Sequence, residues 1–332
     1  MITSTYYYIE EESTDPFYNL AIEQHLLDVV PKKSCILYLW QNKHTVVIGK
    51  NQNCWKECKM QELQDDGGTM VRRLSGGGAV YHDLGNLNFT FVTHKEDYDV
   101  ARQLDVILTA LNALGIQAEK SGRNDLHVDG RKFSGNAFYD KGGRCFHHGT
   151  LMVDVDKENL SKYLQVSPGK LSGKGVDSVQ ARVVNLKELK PDLTINQLKW
   201  ALIQAMEAVY GCAIEEIDEF DLDEVEIAAH SLKFGSDQFR LGQRIPFTWE
   251  VEHRFPWGDI QLQCEVDAGQ IKNAVIYSDA LDNHIIEAMA SNLQGCAFGS
   301  KPMAERLQQM STRWGNRQEL LDVCQYLNDI NV

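Results

Sequence analysis

The best candidates for anion binding in this sequence lie in a short segment that combines arginine with glycine. Arg72 and Arg73 come just before Gly76, Gly77 and Gly78. Because glycine lacks a Cβ atom, its backbone N–H group can approach an anion closely, and its φ angle can be positive. Neither common nucleotide fingerprint is present, since no Lys-Ser or Lys-Thr follows the glycines and no GxGxxG pattern opens a helix. The segment therefore predicts an anion site of a different design.

A second candidate is the hairpin predicted by Asp129-Gly130, a strong two-residue turn signal between two extended runs. Counting back from the turn pairs residues that share a face of the sheet. This register predicts one polar face with Asp125, His127, Lys132 and Ser134, and one core face with Leu126, Val128 and Phe133. Two interpretations of the lysine stay open from the pattern alone, a solvated edge residue and a functional group that faces a cleft.

Further candidates follow downstream of the hairpin. His147 and His148 are adjacent in a predicted strand and should point to opposite faces, so we expect packed or hydrogen-bonded histidines, not a shared metal ion. Gly149 in the same strand indicates a close approach of backbone or ligand. The stretch from Ser167 to Val184 has three glycines and several basic residues, which favours a mobile, basic loop, although an ordinary connection fits nearly as well.

Cysteine spacing points to reduced thiols. The eight cysteines are scattered without the spacing of a disulfide framework. Only Cys54 and Cys58 are close together, and no second pair completes a tetrahedral zinc site. We therefore expect buried or half-buried thiols.

Hydrophobic periodicity predicts the elements that must position these residues. Asp15-Pro16 should open a first helix, and the runs 36–40 and 45–48 suggest a hairpin. Further helices are predicted over 55–64, from Asp99 to Gly115, and after a capping box of Thr194 and Gln197. Residues 87–92 alternate as in a half-buried strand.

The C-terminal part has its own pattern. An acidic stretch from Glu215 to Glu226 leads to Pro246 and predicts the junction between two domains, 1–245 and 246–332. Three alternating runs follow, over 247–255, 259–266 and 270–277. Helical segments near 281–293, 303–310 and 318–327 should cover them, which predicts a small α+β domain.

Composition limits the partners and the location. The chain has 332 residues, with 33 basic against 47 acidic residues and a net charge of −14, which argues against nucleic acid or an anionic membrane surface as the main partner. The N-terminus lacks the features of a signal or transit peptide. No window approaches the roughly 18 apolar residues of a membrane span. We expect a cytoplasmic protein, with a monomer as the default state.

Several motifs, found in one order, closely resemble the lipoate-protein ligase A family: DPFYNLAIE, RRLSGGGAVYHDLGN, SGRNDL, GRKFSGNAFY, FHHGTL, SVQARVVNL, FPWGDIQLQCEV and LQGC. The resemblance spans essentially the whole chain. It implies an α+β fold in which a large N-terminal domain has mixed or antiparallel sheets flanked by helices, as in biotin and lipoate ligases, with a small C-terminal accessory domain. It also implies an enzyme that uses ATP and Mg²⁺ to adenylate free lipoate and then transfers the lipoyl group to a lysine of a carrier domain. Such carriers are the E2 subunits of 2-oxoacid dehydrogenase complexes and the H protein of the glycine cleavage system.

The resemblance also assigns residues. Lys132 is implied to be catalytic, in contact with the lipoyl carboxyl group and the phosphate, where it would neutralise charge between two anions. The implied lipoate and ATP site contains Arg73, Gly76, Gly77, Gly78, Ala79, Val80, Tyr81, His82, Asn124, Asp125, Lys132, Ser134, His148 and Gly149, with Asp125 as a candidate Mg²⁺ ligand. The implied adenylate-binding loop contains Lys174, Gly175, Val176, Ser178, Val179 and Arg182. The direction of Arg72 stays open, because neighbouring strand residues face opposite sides.

Three alternatives come from related or different classes of protein. Octanoyl- and lipoyl-transferases of the same superfamily move an acyl group between carriers with a cysteine nucleophile, and Cys145 is the cysteine nearest the implied site. A biotin ligase should show a GRGR-type loop where this chain has RRLSGGGA. A carrier-binding protein without enzymatic activity should lack Lys132 or the glycines, and both are present.

Overall fold

The computed structural model describes residues 5–121, 125–165, 182–218 and 222–330. The chain divides into two compact units, and each is made of three chain segments. The first unit comprises Met1–Val47, Cys58–Arg72 and Val80–Arg240, and the second comprises Ile48–Glu57, Arg73–Ala79 and Leu241–Val332. The glycine-rich segment therefore belongs to the same unit as the C-terminal part of the chain. No helix in the described part of the chain is both long and apolar enough to cross a membrane.

An eight-stranded mixed sheet organises the first unit, in the order β11-β1-β2-β6-β10-β9-β8-β7. Its strands are β1 (Thr5–Glu10), β2 (Ser34–Trp40), β6 (Asn86–His94), β7 (Glu119–Ser121), β8 (Asp125–Val128), β9 (Arg131–Lys141), β10 (Arg144–Met152) and β11 (Glu215–Glu216). A second sheet of three short strands has the order β4-β3-β5, with β3 (Thr45–Ile48), β4 (Thr69–Arg72) and β5 (Val80–His82). Strands β8, β9 and β10, towards one edge of the large sheet, position the candidate site.

The helices that accompany these strands are α1 (Pro16–Val29), α2 (Cys54–Glu57), α3 (Met60–Asp65), α4 (Val100–Ala113), α5 (Lys157–Tyr163), α6 (Ile195–Tyr210), α7 (Glu224–Gly235) and α8 (Asp237–Arg240). Short 3₁₀ turns lie at Lys95–Asp97 and Leu186–Glu188. The predicted starts of three helices are confirmed. The Asp15 side chain accepts from the first-turn N–H groups of α1, Asp99 caps α4, and Thr194 with Gln197 forms a capping box on α6.

Both faces of the large sheet are covered, as strand β2 shows. All seven residues of β2 are buried. Cys35, Leu37 and Leu39 join the main hydrophobic core, to which α4 and α6 contribute their apolar faces. The alternate residue Tyr38 instead directs its hydroxyl group to the backbone and side chain of Asn19 in α1. Helix α1 therefore covers the second face, next to the residues described below.

Two local predictions were wrong. Strands β2 and β3 do not form a hairpin, because β2 already pairs with β1 and β6 on its two edges, while β3 pairs with β5 in the small sheet. The buried side chain of Asn19 donates to Gln41 O and to Asn42 Oδ1, which holds the connection against α1 instead. The single helix predicted over 55–64 is two short helices, since Cys58 between them forms a β-bridge with Leu164.

The second unit contains an antiparallel three-stranded sheet of β12 (Trp249–Phe255), β13 (Gly258–Asp267) and β14 (Gln270–Ser278). Helices α9 (Asn283–Leu293), α10 (Ser300–Gln308), α11 (Ser311–Trp314) and α12 (Gln318–Asp329) accompany it. Leu262, Ile276, Ile286, Met303 and Val323 belong to one hydrophobic cluster that joins the sheet to the helices. The α+β fold predicted for this part is confirmed.

Candidate active site

The hairpin of β8 and β9 turns where the sequence predicts. Asp129 and Gly130 both have positive φ, 51° and 71°, which is the conformation that a two-residue turn requires. The first two pairs match the predicted register, Val128 with Arg131 and His127 with Lys132. The turn chemistry therefore fixes the start of the hairpin correctly.

Beyond these pairs the register shifts by one residue. Leu126 pairs with Ser134, and Asp125 pairs with Gly135, so Phe133 is the extra residue of a β-bulge. The prediction that Ser134 shares the polar face with Lys132 was wrong, because the bulge moves Ser134 opposite Leu126, where it is fully buried. Gly135 takes its place on the face of Lys132 and Asp125.

Lys132 and Asp125 form an ion pair on this face. The Lys132 Nζ atom lies 2.8 Å from Asp125 Oδ1, and the two side chains are 37% and 30% exposed. A Cβ atom added to Gly135 would lie only 3.0 Å from Lys132 Nζ and 3.2 Å from its Cε. The Lys132 side chain therefore passes directly over Gly135 to reach the Asp125 carboxylate, and we call this position of Gly135 the glycine floor. Since an ion pair this exposed contributes less than about 1 kcal/mol, an anionic ligand could displace Asp125 at small cost.

The backbone of Lys132 is held from both sides. On one side it pairs with His127 in the hairpin. On the other side Lys132 N donates to Arg182 O at 2.8 Å, and Val184 N donates to Lys132 O at 2.9 Å. The described end of the predicted adenylate-binding loop is therefore joined to the backbone of the lysine.

A chain of buried polar side chains lies on the α1 face of the central strands. His148 Nδ1 is 2.7 Å from Glu23 Oε1, and Thr90 Oγ1 donates to the same oxygen at 2.8 Å. Trp40 Nε1 donates to Thr90 Oγ1 at 3.1 Å. Glu23 is only 1% exposed, so these partners satisfy a carboxyl group that water scarcely reaches. The network fixes the orientation of His148.

His147 points to the other face, as the strand alternation predicts. Its ring nitrogens lie 3.1 Å from Gln103 Oε1 and 2.8 Å from Asn136 Oδ1. Burial lowers the pKa of His147 to about 3, and nearby His148 and Lys120 add to the effect. The predicted hydrogen-bonded role is confirmed for both histidines.

Gly149 lies where the sheet leaves no room for a side chain. A Cβ atom there would come within 2.6 Å of Phe89 Cζ and 2.8 Å of Gly135 O. The predicted close approach at this glycine is thus an approach of the neighbouring strand and of a core phenylalanine.

Strand β5 places the next predicted ligands. Val80 is half-buried, while Tyr81 and His82 are buried. The Tyr81 hydroxyl group lies 2.8 Å from His44 Nδ1, and burial raises the pKa of this phenol. His82 Nδ1 lies 3.2 Å from Asn42 Nδ2. Both side chains are oriented by partners within the first unit.

The arginine of the glycine-rich segment is bound to its own loop in the second unit. Arg73 Nη2 donates to Gly76 O at 2.7 Å and to Gly78 O at 2.8 Å, and its Nε donates to Ser75 Oγ at 3.0 Å. The side chain is buried, with 6% exposure. Arg72 lies in the first unit, where its Nε donates to the carbonyl groups of Phe239 and Arg240. The two arginines therefore serve different parts of the backbone.

The glycines of this segment pack against the C-terminal part of the same unit. A Cβ atom on Gly76 would lie 2.2 Å from Ala280 O, and Gly77, with a φ of 90°, donates its N–H to the same oxygen at 3.0 Å. Gly78 and Ala79 are half-buried. The structure thus gives Gly76 and Gly77 a packing role beside the predicted ligand role.

A metal ion would have limited protein ligands here. Within the described residues, no cluster of three or more His, Cys, Asp or Glu is placed to hold a metal ion. Mg²⁺ in nucleotide sites is commonly held by one or two carboxylates together with phosphate oxygens. The half-buried carboxyl group of Asp125 fits that donor set, provided that a nucleotide supplies the phosphates.

Several predicted residues cannot be placed or tested. Asn124, Lys174, Gly175, Val176, Ser178 and Val179 lie outside the described residues. The ligand roles of the other predicted residues stay predictions. Sequence reasoning missed Gly135 and Glu23. A glycine inside a strand, three residues after a candidate lysine, was a usable signal for the first, whereas a glutamate in a helix is ordinarily solvated and gave none for the second.

All eight cysteines are free thiols, and Cys145 is 2% exposed. Burial, together with nearby Asp140, raises the pKa of Cys145 to about 11. Because the thiolate is the nucleophilic form, this environment disfavours Cys145 as a nucleophile.

The chain matches two family models. Residues 15–207 match the lipoyl protein ligase A/B catalytic domain, and residues 244–327 match the bacterial lipoate protein ligase C-terminus. The predicted fold of the whole chain agrees with these matches.

Solved structures are also similar. The crystal structure of P. falciparum LipL1 in complex with lipoate covers 98% of this chain and 100% of its own, with 28% identity and a TM-score of 0.85. A bi-partite lipoate protein ligase from Thermoplasma acidophilum, studied with its E2 lipoyl domain, covers 74% of this chain and 100% of its own, with 23% identity and a TM-score of 0.63. A lipoate-protein ligase A bound with ATP covers 73% of this chain and 99% of its own, with 22% identity and a TM-score of 0.60.

Proposed function

Because the chain belongs to the family of the lipoyl protein ligase A/B catalytic domain, we propose that it is an ATP-dependent lipoate-protein ligase. It adenylates free lipoate to lipoyl-AMP and transfers the lipoyl group to one lysine of a carrier domain. The carriers that we propose are E2 subunits and the glycine cleavage H protein. The similar structures with bound lipoate, with bound ATP and with an E2 lipoyl domain support this choice of substrates. We also propose a monomer that works in the cytoplasm.

The proposed reaction has two steps. A carboxylate oxygen of lipoate attacks the α-phosphorus of ATP, so that a P–O bond forms and pyrophosphate leaves. The ε-amine of the carrier lysine then attacks the lipoyl carbonyl carbon, so that an amide forms, AMP leaves and the amine loses a proton. The first step brings two anions together and needs fixed positive charge between them.

The ion pair of Lys132 with Asp125 carries the proposal. The Lys132 ammonium group is half-buried, directed across the glycine floor of Gly135, and paired with a carboxylate that an anionic ligand can replace. It therefore offers positive charge to a lipoate carboxylate and an α-phosphate that approach from the open side of Gly135. Asp125, once released, can bind Mg²⁺ together with phosphate oxygens. Bound Mg²⁺ would supply further neutralisation of the phosphate charge.

Closure over the intermediate is part of the proposal. A mixed anhydride that is exposed to water would hydrolyse without product, so the site needs a cover. We assign residues 167–184 to this task. The hydrogen bonds of Lys132 with Arg182 O and Val184 N support the assignment, because they tie the end of this stretch to the catalytic lysine.

The alternative is a transferase that carries an octanoyl or lipoyl group from one carrier to another on a cysteine. It would need a reactive thiol at the site. Cys145 is buried with a raised pKa, and the stretch 167–184 contains no cysteine. These observations favour the ligase.

The test uses the purified full-length protein with Mg²⁺ and an apo lipoyl carrier domain in two conditions: free lipoate with or without ATP, or an octanoylated second carrier without ATP and without free lipoate. The ligase predicts a carrier mass higher by one amide-linked lipoyl group only when ATP is present. A carrier acylated from a second, octanoylated carrier in the absence of ATP would instead support the transferase. No change in mass under either condition would contradict both functions.

A further inference from the structure

The second unit contains a cleft whose lining residues lie between Ala288 and Trp314, distant in the sequence from Lys132 and from the glycine-rich segment. It has a volume of about 470 Å³, within the range of roughly 300–1,000 Å³ that is usual for ligand sites. Helices α9, α10 and α11 provide its walls, which include Ala288, Asn292, Arg306, Met310, Arg313 and Trp314. Two arginines and a tryptophan in one cleft form a group suited to binding.

The charges of this cleft lack carboxylate partners. In the described part of the chain, no carboxylate lies within 4 Å of Arg306 or Arg313, whereas Arg254 and Arg317 of the same unit are paired with Asp259 and Asp282. The side chain of Arg306 is oriented by a hydrogen bond that its Nε donates to the backbone oxygen of Asn292 at 3.0 Å. Its remaining N–H groups can therefore meet a ligand without breaking an ion pair.

The local charge also differs from that of the whole protein. Of the eight residues that line the cleft, two are arginines and none is acidic, in a chain of net charge −14. A cationic cleft on an acidic protein gives local attraction for acidic groups, while the overall charge repels nucleic acid.

The apolar wall narrows the choice of ligand. Met310 is buried, and Trp314 and Ala288 are half-buried, so the cleft offers apolar contact beside the charges. The two arginines belong to different helices, α10 and α11, and each presents a planar fork that matches a carboxylate. We propose that this cleft binds an acidic peptide segment of a protein partner, with carboxylates on Arg306 and Arg313 and an apolar side chain against Trp314. The proposal does not depend on the catalytic reaction.

Fluorescence anisotropy can test this binding with the full-length protein. The probe is a fluorescein-labelled peptide of alternating glutamate and leucine, and the uncharged control replaces each glutamate with glutamine. We expect the acidic peptide to bind more tightly than the control peptide. Its binding should weaken as the salt concentration is raised. The double variant Arg306→Gln/Arg313→Gln should weaken its binding about tenfold, since two exposed arginine–carboxylate contacts are lost.

Arg244→Gln is the matched control, because Arg244 is an exposed arginine of the same unit that does not line the cleft. It should change the affinity less than about twofold. Equal binding of both peptides, or equal affinity of the parent and the double variant, would overturn the proposal. Displacement of the acidic peptide by AMP or inorganic phosphate at similar concentrations would also overturn it, in favour of a phosphate site. Lipoylation activity is not part of the readout, so the two proposals can fail separately.

Discussion

The two cations that the sequence singled out, Lys132 and Arg73, have opposite surroundings. Lys132 is over a third exposed, and its described ion-pair partner is the half-buried carboxylate of Asp125. Arg73 is buried, and it donates to backbone oxygens of Gly76 and Gly78 in its own loop. A partly exposed ammonium group that is paired with a single carboxylate can exchange that partner for a ligand, whereas a guanidinium group that closes a buried loop stabilises the loop.

The glycines of the two regions differ in the same way. At Gly76 a side chain would meet the backbone oxygen of Ala280, which cannot move without moving a whole segment. At Gly135 it would meet the end of the flexible side chain of Lys132. Substitutions should therefore disturb folding in one region and chemistry in the other.

Removal of the Lys132 charge should have the largest effect. We expect Lys132→Ala to lower the rate of lipoate adenylation by about 100- to 1,000-fold, because the variant loses the positive charge that lies beside Asp125. The measurement is lipoate-dependent exchange of pyrophosphate into ATP, with circular dichroism to check the fold. Arg131→Ala is the matched control, since Arg131 immediately precedes Lys132 in the strand and pairs with Glu188. Near-normal adenylation by Lys132→Ala would contradict the proposed catalytic role of Lys132 and its contrast with Arg73.

Gly76→Ala should show the structural character of the glycine-rich loop. The added Cβ would lie 2.2 Å from Ala280 O, so we expect the free energy of unfolding to fall by about 1–3 kcal/mol. Urea titration of the parent and the variant measures this change. Gly235→Ala is the control, because a Cβ there meets no atom within 4 Å. Unchanged stability together with lost adenylation would assign Gly76 to ligand binding instead.

Gly135→Ala should produce the opposite result. Its Cβ would press on Lys132 Nζ at 3.0 Å, and the lysine can shift by a few tenths of an ångström, so stability should hardly change. Adenylation should fall about tenfold, because the ammonium group leaves its position over the glycine floor. Parallel urea and pyrophosphate-exchange measurements separate the two effects. A loss of stability equal to that of Gly76→Ala would remove the difference between the two regions.

His147, on the face of the sheet opposite Lys132, should make the stability of the protein depend on pH. The folded state holds the pKa of His147 at about 3, below the ordinary value of 6.5, so the unfolded state binds the proton first as the pH falls. This residue's contribution to stability is complete above pH 6.5 and is lost progressively towards pH 3. Urea midpoints at about pH 7.5 and about pH 5 should therefore differ less in His147→Gln than in the parent. An identical pH dependence would show that His147 titrates normally.

Cys145→Ser should have the smallest effect. The thiol is buried with a pKa of about 11, and the proposed reaction forms no bond to it. Lipoylation of the carrier should stay within about twofold of the parent, since serine is close in size to cysteine. The assay is the mass measurement of the carrier. Loss of activity, with an acyl thioester trapped on the parent protein, would favour the transferase.

Local signals predicted much of the framework. Asp15, Asp99 and the Thr194–Gln197 box set the starts of three helices correctly, and Asp129-Gly130 set the turn of the key hairpin. These features depend on a few neighbouring residues, so the sequence contains all that is needed.

The wrong predictions concern features that depend on residues distant in the sequence. The bulge at Phe133 leaves the alternation of buried residues plausible in either register, and only the pairing with β8 shows that Ser134 has changed sides. The partner of β3 depends on which strand edges are already filled. Likewise, nothing next to Arg73 in the sequence shows that carbonyl groups of its own loop will bind its guanidinium group.

Because each unit is made of three chain segments, recombination between relatives is constrained. The chain passes between the units five times, and segments 48–57 and 73–79 share hydrogen bonds with the C-terminal part, as when Ser278 N donates to Asn51 O. A fragment that ends near residue 245 would leave these backbone groups without their partners. A recombination event that exchanged only the C-terminal part between two relatives would pair it with inner segments from a different ancestor. We therefore expect viable chimaeras to carry all three segments of the second unit from the same parent.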